Sequence, residues 1–246
     1  EQLVNSGRFN RLVEVPSAGR SFLAAVGVVN SAGGDRSGIV HVDLERFISG
    51  NDDFFAPFPV GTEVGGREFA DLDFSPDGLL AFGASRVNVR TSGDSARGSV
   101  IRMDASLQTI DFINDAGQPD TRVRPRYQVD ALTALRGQPS GILYVPRAAS
   151  SDLLVVADLD QDALFVLDPL SSEMPLLGRI DVPGGPFTLR AATINGRELV
   201  FATLFYNHGL AVVDVSSADP IDFELAGVLR DIGPENEAIQ PGERAR

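Results

Sequence analysis

Short runs of apolar residues recur along the chain, and four of them end in an aspartate. The runs are GIVHVD, SVIRMD, ALFVLD and GLAVVD, which end at Asp43, Asp104, Asp168 and Asp214. Each run has the length and the β-branched or apolar composition of a strand, and an aspartate at its end is typical of a capped turn. The pattern predicts one strand type that is repeated four times, as in a repeat protein.

Three further strands accompany each repeated strand. One precedes it, as in FLAAVGVV and LLVVAD, and another lies before that, behind a turn such as SPDG or INGR. The fourth follows, as in PLLGRIDV and FELAGVLRDI. Pro presets φ and Gly or Asn accepts positive φ, so these turns favour tight hairpins. Four antiparallel strands per unit predict an all-β chain that folds as a β-propeller of four-stranded blades.

The repeat places four blades in a single propeller domain, 1–246. Their approximate spans are 10–60, 67–113, 139–182 and 187–230, and an inserted loop, 114–138, separates the second blade from the third. Four units leave two alternatives open, a compact propeller or part of a larger one. The last residues, DIGPENEAIQPGERAR, are similar to a crossing into another blade, which favours the larger propeller.

Two crossings, VGTEVGG and VPGGP, lie between a fourth strand and the next first strand. Together with LDFSPDGLLAF and LFVLDPLSS, they resemble the YVTN-type, lactonase-like β-propeller repeats over roughly residues 10–230. The resemblance implies blade architecture, because these motifs encode turns and strand ends. It implies little about activity, since propellers carry many unrelated functions. Lactonase-like enzymes use acidic, basic and His side chains around the central channel, and no motif here matches those positions one by one.

A propeller has two faces with different connections. Second-to-third connections and crossings between blades share one face, called the crossing face below; first-to-second and third-to-fourth connections share the other, called the hairpin face. The connections 30–36 and 85–98 and the crossing 114–139 are longer than their counterparts, and all three are expected on the crossing face. Because loops on a rigid frame often carry binding, the sequence predicts that this face is functional.

The insertions contain six arginines on a protein of formal net charge −13, namely Arg86, Arg90, Arg97, Arg122, Arg124 and Arg126. Guanidinium groups bind carboxylates in bidentate geometry, so the cluster fits an anionic partner such as an acidic protein surface or glycan. The alternative is that these arginines pair with the protein's own Asp and Glu, because exposed ion pairs are common.

The segment FYNHG places Tyr206 and His208 on the same predicted face. His208 is a candidate base or ligand, and the alternative is a turn residue beside Asn207. Phe205 and Tyr206 are the aromatic candidates for a sugar- or polymer-binding surface. His41 lies within a strand, where a side chain that fills the blade surface is expected.

The segment DLDQD places Asp158, Asp160 and Asp162 at alternate positions of a connection in the third blade. Ca²⁺ takes about six to eight oxygen ligands, so converging carboxylates make Ca²⁺ the one cofactor that the sequence indicates. An EF-type loop requires Gly at its sixth position and Glu at its twelfth, where this chain has Ala163 and Pro169. The alternative is a solvated acidic turn.

The composition of the chain argues against several classes of function. The negative charge argues against binding to nucleic acid, and no apolar run approaches the roughly 18 residues that span a bilayer. The chain has no Cys, which removes disulfides and thiolate metal sites. The absence of Cys fits an exported bacterial protein in the periplasm or outside the cell, although the reducing cytoplasm would tolerate a chain without Cys equally.

These observations predict a non-enzymatic propeller that binds another protein, as an accessory or scaffold subunit, through loops on the crossing face. The alternative is a lactonase-like hydrolase whose site lies on the same face and uses a divalent cation near 158–162. A pocket in which His208 and carboxylates converge would favour the enzyme. A broad surface formed by 85–98 and 114–139 would favour the binding protein.

Overall fold

The computed structural model of the chain describes residues 8–16, 22–31, 34–50, 55–59, 69–86, 98–113 and 117–230. Strands dominate these ranges, which also contain a short helix, α1 (Leu44–Ile48), and a 3₁₀ turn at Pro220–Asp222. None of the described helices is long and apolar enough to cross a membrane.

The described residues form four antiparallel sheets of four strands each. The first sheet contains β1 (Arg8–Val15), β2 (Phe22–Ser31), β3 (Gly34–Asp43) and β4 (Phe55–Pro59). The second begins with β5 (Phe69–Phe74), β6 (Leu80–Ser85) and β7 (Gly98–Asp104). A separate hairpin of β8 (Leu107–Ile113) and β9 (Pro119–Pro125) follows, and β10 (Gln128–Leu135) completes the second sheet. The third contains β11 (Pro139–Val145), β12 (Leu153–Asp158), β13 (Ala163–Leu167) and β14 (Leu176–Asp181). The fourth contains β15 (Pro186–Ile194), β16 (Arg197–Leu204), β17 (Gly209–Asp214) and β18 (Glu224–Leu229).

Each sheet is one blade, and the predicted all-β propeller of four-stranded antiparallel blades is confirmed. In the first, third and fourth blades, strands pair with their neighbours in the chain, so each of these blades is a meander; in the second blade, β10 pairs with β7 across the inserted hairpin. The first strands β5, β11 and β15 of successive blades lie side by side, which places them nearest the propeller axis. Connections therefore alternate between the crossing face and the hairpin face.

The fourth strand of the second blade differs from the prediction. The sequence assigns 107–113 to that strand and 114–138 to an inserted crossing, whereas β10 pairs with β7 and 107–125 forms the separate hairpin. Both segments alternate apolar and polar residues, and burial decides between them: Ala131 and Leu135 are buried, whereas Leu107 and Ile113 are exposed. The insertion is thus a third-to-fourth connection on the hairpin face, and its predicted place on the crossing face is wrong.

Apolar clusters fill the spaces between successive blades. The third blade has neighbours on both sides, and every residue of β12 and β13 is buried. Such strands read as continuous apolar runs, as in LLVVAD, because both faces of the sheet are covered. Burial alternates along β17 of the fourth blade, which has a described neighbour on one side.

Polar contacts fix the angle between blades near the axis. The Asp71 carboxylate accepts the Ile142 N–H at 3.0 Å, and the Asp73 carboxylate accepts the Tyr144 N–H at 2.7 Å. The Ser140 hydroxyl continues this pattern by donating to the Pro186 carbonyl at 2.8 Å. First strands of successive blades are thus joined by side-chain to backbone bonds, since their own backbones do not pair in one sheet.

Two buried arginines join blades at the hairpin face. Arg102 of the second blade donates to the carbonyl oxygens of Pro169 and Ser171, at 2.8 and 2.7 Å, in the third-to-fourth connection of the third blade. Arg147 of the third blade donates to the Ser217 carbonyl in the corresponding connection of the fourth. A guanidinium offers several donors in one plane, so a single side chain can hold an irregular loop.

Candidate interaction surface

The third-to-fourth connection of the first blade contains α1. Asp43 ends β3 and caps the helix, because its Oδ1 accepts the N–H groups of Glu45 and Arg46 at 3.1 Å each. The other strand-ending aspartates, Asp104, Asp168 and Asp214, each accept the backbone N–H of the residue two positions later, at 2.9, 3.0 and 2.9 Å. The capping predicted for the four aspartates is thus confirmed, and their carboxylates shape connections on the hairpin face.

Helix α1 buries none of its residues. Phe47 is 55% exposed and Ile48 is 82% exposed. A five-residue helix has little intrinsic stability, and here the cap rather than packing holds it. Its apolar side chains are therefore presented to solvent by a locally ordered segment.

The hairpin β8–β9 extends the same connection in the second blade. Its strands pair from Leu107 opposite Pro125 to Ile113 opposite Pro119. Leu107 is 41% exposed and Ile113 is 65% exposed. An isolated two-stranded hairpin is marginally stable in water, so contacts at its base and sides are needed to order it.

Two contacts attach the hairpin to the rest of the hairpin face, and a third closes its base. Arg46 of α1 donates to the Thr121 carbonyl of β9 at 2.9 Å. At the base, the Arg126 N–H donates to the Ser106 carbonyl at 3.0 Å, and the Arg126 guanidinium lies 3.5 Å from the Asp104 carboxylate. A hydrogen bond from the Ser106 hydroxyl is the main cause that lowers the pKa of Asp104, and Arg126 contributes. Helix and hairpin thus form one surface, 44–48 with 107–113 and 119–125, called the helix–hairpin surface below.

The predicted arginine cluster is not brought together by the described residues. Arg86 follows β6 at the end where Ser85 pairs with Ser99, whereas Arg126 lies near Asp104 at the other end of the same ladder. Five residue steps separate these ends, about 17 Å at about 3.3 Å per residue. Arg126 pairs with an acidic residue of its own protein, which is the alternative given for these arginines.

The remaining members of that cluster divide into two pairs. Arg122 and Arg124 lie on β9, where they pair with Ile110 and Gln108 of β8. Arg90 and Arg97 lie outside the described residues. The helix–hairpin surface also carries acidic residues, among them Glu45, Asp111 and Asp120, so its charge is mixed rather than basic.

Asp158 is fully buried at the start of the predicted calcium loop. Its Oδ1 accepts three backbone N–H groups, from Gln138 at 3.0 Å, Asp160 at 3.2 Å and Gln161 at 3.0 Å. Its carboxyl lies against Gly137, where a Cβ would collide with it. Burial raises the pKa of Asp158, and the three N–H donors oppose that rise. This carboxyl therefore closes the turn and joins it to the crossing at 136–138.

Asp162 anchors the next crossing. Its Oδ1 accepts the N–H groups of Gly184 at 3.1 Å and Gly185 at 2.7 Å, within the VPGGP segment. Both glycines have positive φ, 110° and 70°, and the ring of Tyr206 lies against Gly185, so neither position suits a side chain. Among the described residues no three His, Cys, Asp or Glu side chains are grouped to hold a metal. The calcium site stays a prediction, and Asp158 and Asp162 are turned toward backbone partners.

His208 is exposed and occupies in the fourth blade the turn position that Asp162 has in the third. Both have positive φ, 44° and 48°, directly before the third strand. Beside His208, Tyr206 lies 5.4 Å from Phe205, measured between ring centroids, and Phe205 lies 5.7 Å from Phe187. Phe205 and Tyr206 are each 57% exposed. Phe205 and Tyr206 are candidates from the sequence. Phe187 is not, because it lies after the crossing, far from them in the chain, and contacts them only in the folded protein.

Comparison with solved structures supports the fold. The chain resembles a functionally unknown protein from Desulfotomaculum acetoxidans DSM 771 at 14% identity and a TM-score of 0.53, over 89% of this chain and 55% of that one. It resembles the dihydro-heme d1 dehydrogenase NirN in complex with DHE at 17% identity and a TM-score of 0.50, over 93% of this chain and 38% of that one. Kuenenia stuttgartiensis hydrazine synthase matches at 14% identity and a TM-score of 0.48, over 80% of this chain and 56% of that one.

The two likenesses with TM-scores of 0.53 and 0.50 concern the fold alone, and the chain spans between 38% and 56% of the length of the three matched structures. No known family model and no curated protein sequence matches the chain. The resemblance to YVTN-type, lactonase-like repeats therefore stays a prediction within the confirmed propeller fold.

Proposed function

We propose that the chain is a protein-binding propeller, an accessory or scaffold subunit whose partner docks on the helix–hairpin surface. The observation that carries the proposal is the position of α1 and β8–β9. Both are additions to third-to-fourth connections, they belong to adjacent blades, and Arg46 joins them. Additions to a rigid frame are where binding is usually located.

The apolar side chains on this surface support a protein partner. In order of exposure they are Ile48 at 82%, Ile113 at 65%, Phe47 at 55% and Leu107 at 41%. Exposed apolar side chains on additions to a rigid frame are typical of protein–protein interfaces, where apolar anchors are surrounded by polar residues. Glu45, Arg46 and Asp111 supply such polar neighbours. The chemistry thus favours a folded protein with an apolar docking site over a purely anionic ligand.

The proposal includes the compartment. A chain without Cys and with an acidic surface is compatible with the periplasm or the outside of a bacterial cell. There the partner would be another envelope or secreted protein, for which the propeller provides a rigid support.

Site-specific photocrosslinking tests the docking surface. A photoreactive residue at Ile113 should crosslink a defined partner in extracts of the source, whereas one at Ile194, which is 46% exposed in the fourth blade, should not. The substitution Ile48→Ser should abolish the Ile113 crosslink, because it removes an anchor from the same surface. Equal crosslinking from both positions, or an Ile113 crosslink that survives Ile48→Ser, would contradict the proposal. Far-ultraviolet circular dichroism checks that each variant keeps the β-rich fold.

A second candidate is a lactonase-like hydrolase with its site on the crossing face and Ca²⁺ at Asp158, Asp160 and Asp162. What favours it is His208, which is exposed on the crossing face at the turn position that corresponds to Asp162. Lactone and ester hydrolysis that is lost in His208→Ala would support this candidate. Calorimetry with Ca²⁺ should give heat that vanishes in Asp160→Ala, and no heat with the unchanged protein would end the calcium hypothesis.

A further inference from the structure

A cavity of about 290 Å³ lies between the third and fourth blades at the hairpin face. It is lined by Val145 and Pro146 of the third blade and by residues 191–193, 198 and 199 of the fourth. Ala191 and Thr193 are exposed, so the cavity is open to solvent. A concave, mainly apolar space with a few polar groups is typical of small-molecule sites, and this volume is close to the lower end of their range of about 300–1,000 Å³.

The position of Ala191 carries an aromatic ring in two other blades. By strand register, Phe74 of the second blade and Tyr144 of the third correspond to Ala191 of the fourth. Phe74 and Tyr144 are 5% and 6% exposed, and each packs in the apolar cluster between its own blade and the preceding one. Ala191 lies on the same face of its blade, because its register partner, Val200, belongs to the cluster between the third and fourth blades. An alanine leaves unfilled the space that a ring occupies in the other two interfaces, which accounts for the cavity.

Tyr144 shows how such a ring is held. Its ring lies 5.5 Å from that of Phe82 in the second blade, measured between centroids. Its hydroxyl donates to the Asp152 carboxylate at 2.6 Å. Burial raises the pKa of Tyr144 and the bond to Asp152 raises it further, so the phenol keeps its proton and is the donor. The ring is thus fixed by apolar packing together with one hydrogen bond to a carboxylate.

The fourth blade keeps the carboxylate although it lacks the ring. Glu198 occupies the position that Asp152 has in the third blade. Its Oε2 accepts the Nε–H of Arg147 at 2.8 Å, and its Oε1 has no hydrogen-bond partner among the described residues. Its register partner Thr193 places a hydroxyl on the same face, which also lacks a partner within the described ranges. The cavity therefore offers both elements that hold Tyr144, a space for a ring and a carboxylate that can accept a hydroxyl.

We infer that this cavity binds a small aromatic molecule with a phenolic hydroxyl, whose ring lies against Ala191 and whose hydroxyl donates to Glu198. An aromatic ring gains a large burial in an apolar space, and an engineered protein cavity of about 150 Å³ binds benzene. A hydrogen bond to an ionised acceptor is stronger than one between neutral groups, which favours a phenol over an unsubstituted ring. The inference concerns the third and fourth blades and does not depend on the helix–hairpin surface.

Calorimetry and two-dimensional NMR of the whole protein test this inference with p-cresol, which is the side chain of tyrosine as a free molecule. It should bind saturably, with a dissociation constant of about 1 mM or below, and shift the amide signals of Ala191 and Thr193. Toluene has the same ring and methyl group without the hydroxyl, so it should bind about 10-fold more weakly or less. Equal affinity for the two compounds would overturn the role of Glu198 and with it the assignment to a phenol.

Two variants locate the binding. Ala191→Tyr restores the ring of the third blade and should abolish p-cresol binding, whereas Ala226→Tyr makes the same change at an exposed position of β18 and should leave it intact. Glu198→Gln keeps an oxygen for Arg147 but removes the charge, so it should weaken p-cresol binding by about 3- to 10-fold and leave toluene binding unchanged. The second variant keeps the inference testable if Ala191→Tyr does not fold.

A tyrosine side chain of a partner protein shares the chemistry of a free phenol, and N-acetyltyrosine amide distinguishes the two sources. Weaker binding of this compound than of p-cresol would support a small molecule, because the added backbone groups do not fit. Tighter binding would assign the cavity to a tyrosine side chain and overturn the small-molecule assignment. Absence of saturable p-cresol binding to the unchanged protein, or binding that persists in folded Ala191→Tyr, would overturn the inference as a whole.

Discussion

The third and fourth blades have the same strand order and second-to-third turns of the same length, yet they differ in what covers them. Leu153 and Leu199 occupy corresponding positions, and so do Leu164 and Leu210, but one of each pair is buried and the other is half-buried. The two central strands of the third blade, β12 and β13, are buried throughout, whereas burial alternates in β17 of the fourth. The two blades thus share apolar residue types at these positions. Burial differs because the described residues cover both faces of the third blade and one face of the fourth.

The first prediction uses this pair of leucines. Leu164→Ala should lower the free energy of unfolding by about 2–5 kcal/mol, because it leaves a cavity between two blades. Leu210→Ala should lower it by clearly less, because Leu210 is only half-buried. Urea unfolding followed by circular dichroism measures both, since the chain has no Trp to report by fluorescence. Equal effects of the two substitutions would contradict the comparison.

The sequence predicts the blades because each strand pairs with its neighbour in the chain. Apolar runs and turn residues then carry most of the information, and the second-to-third turn that ends at Asp162 or His208 is found at matching positions. The exception is instructive. The segment 107–113 reads as a fourth strand, but β10 takes that place since Ala131 and Leu135 fill the space between blades. Local periodicity cannot show which of two amphipathic strands reaches the core.

The candidate surface was harder to predict for the same reason. Which residues belong to the surface depends on the face to which the insertion belongs. That face depends in turn on which segment, 107–113 or β10, forms the fourth strand of the second blade. Contacts between distant segments, such as Arg46 with Thr121, leave no local pattern. Nothing in the sequence near Arg102 or Arg147 shows that its guanidinium binds carbonyl oxygens in a loop of the next blade.

The second prediction concerns the contact through which the third blade holds the fourth. Arg147 pairs with Glu198 at 2.8 Å and donates to the Ser217 carbonyl, and its side chain is 3% exposed. Arg147→Met keeps much of the volume and removes these bonds, so the free energy of unfolding should fall by about 1.5–3 kcal/mol. Arg197→Met is the matched control, since Arg197 pairs with Asp214 within the fourth blade and is 55% exposed. A fall as large in the control would show that the link between blades is not what matters.

The third prediction compares two corresponding glycines, Gly178, which pairs with Val166 in the third blade, and Gly227, which pairs with Val212 in the fourth. Gly178→Ala should destabilise the protein by about 1 kcal/mol, because the new methyl group is pressed against Pro220. Gly227→Ala meets open space and should be neutral or stabilising by up to about 1 kcal/mol, since Gly in a strand interior is unfavourable. Thermal unfolding of dilute protein measures both changes. Destabilisation by Gly227→Ala as large as that by Gly178→Ala would contradict the difference between the faces of the two blades.

The last and smallest effect concerns the position at which the third blade carries Asp158 and the fourth carries Leu204. Both side chains are buried, but only Asp158 can ionise. Burial raises the pKa of Asp158 above the value of about 3.9 that an exposed aspartate has. Between these two pKa values the folded protein binds more protons than the unfolded chain. The contribution of Asp158 to stability is therefore most favourable in acid and declines as the pH rises through that window.

Asp158→Asn isolates this contribution. The amide keeps an oxygen that can accept the N–H groups of Gln138, Asp160 and Gln161, and it removes the buried charge. The difference in unfolding free energy between Asp158→Asn and the unchanged protein should shift in favour of the variant as the pH rises from about 4 upward, and become constant above the pKa of the folded protein. Leu204 has no charge to remove, so Leu204→Met should give a difference that does not vary with pH. A difference for Asp158→Asn that is constant over this range would mean that Asp158 titrates alike in the folded and unfolded chains, and that its three N–H donors fully offset its burial.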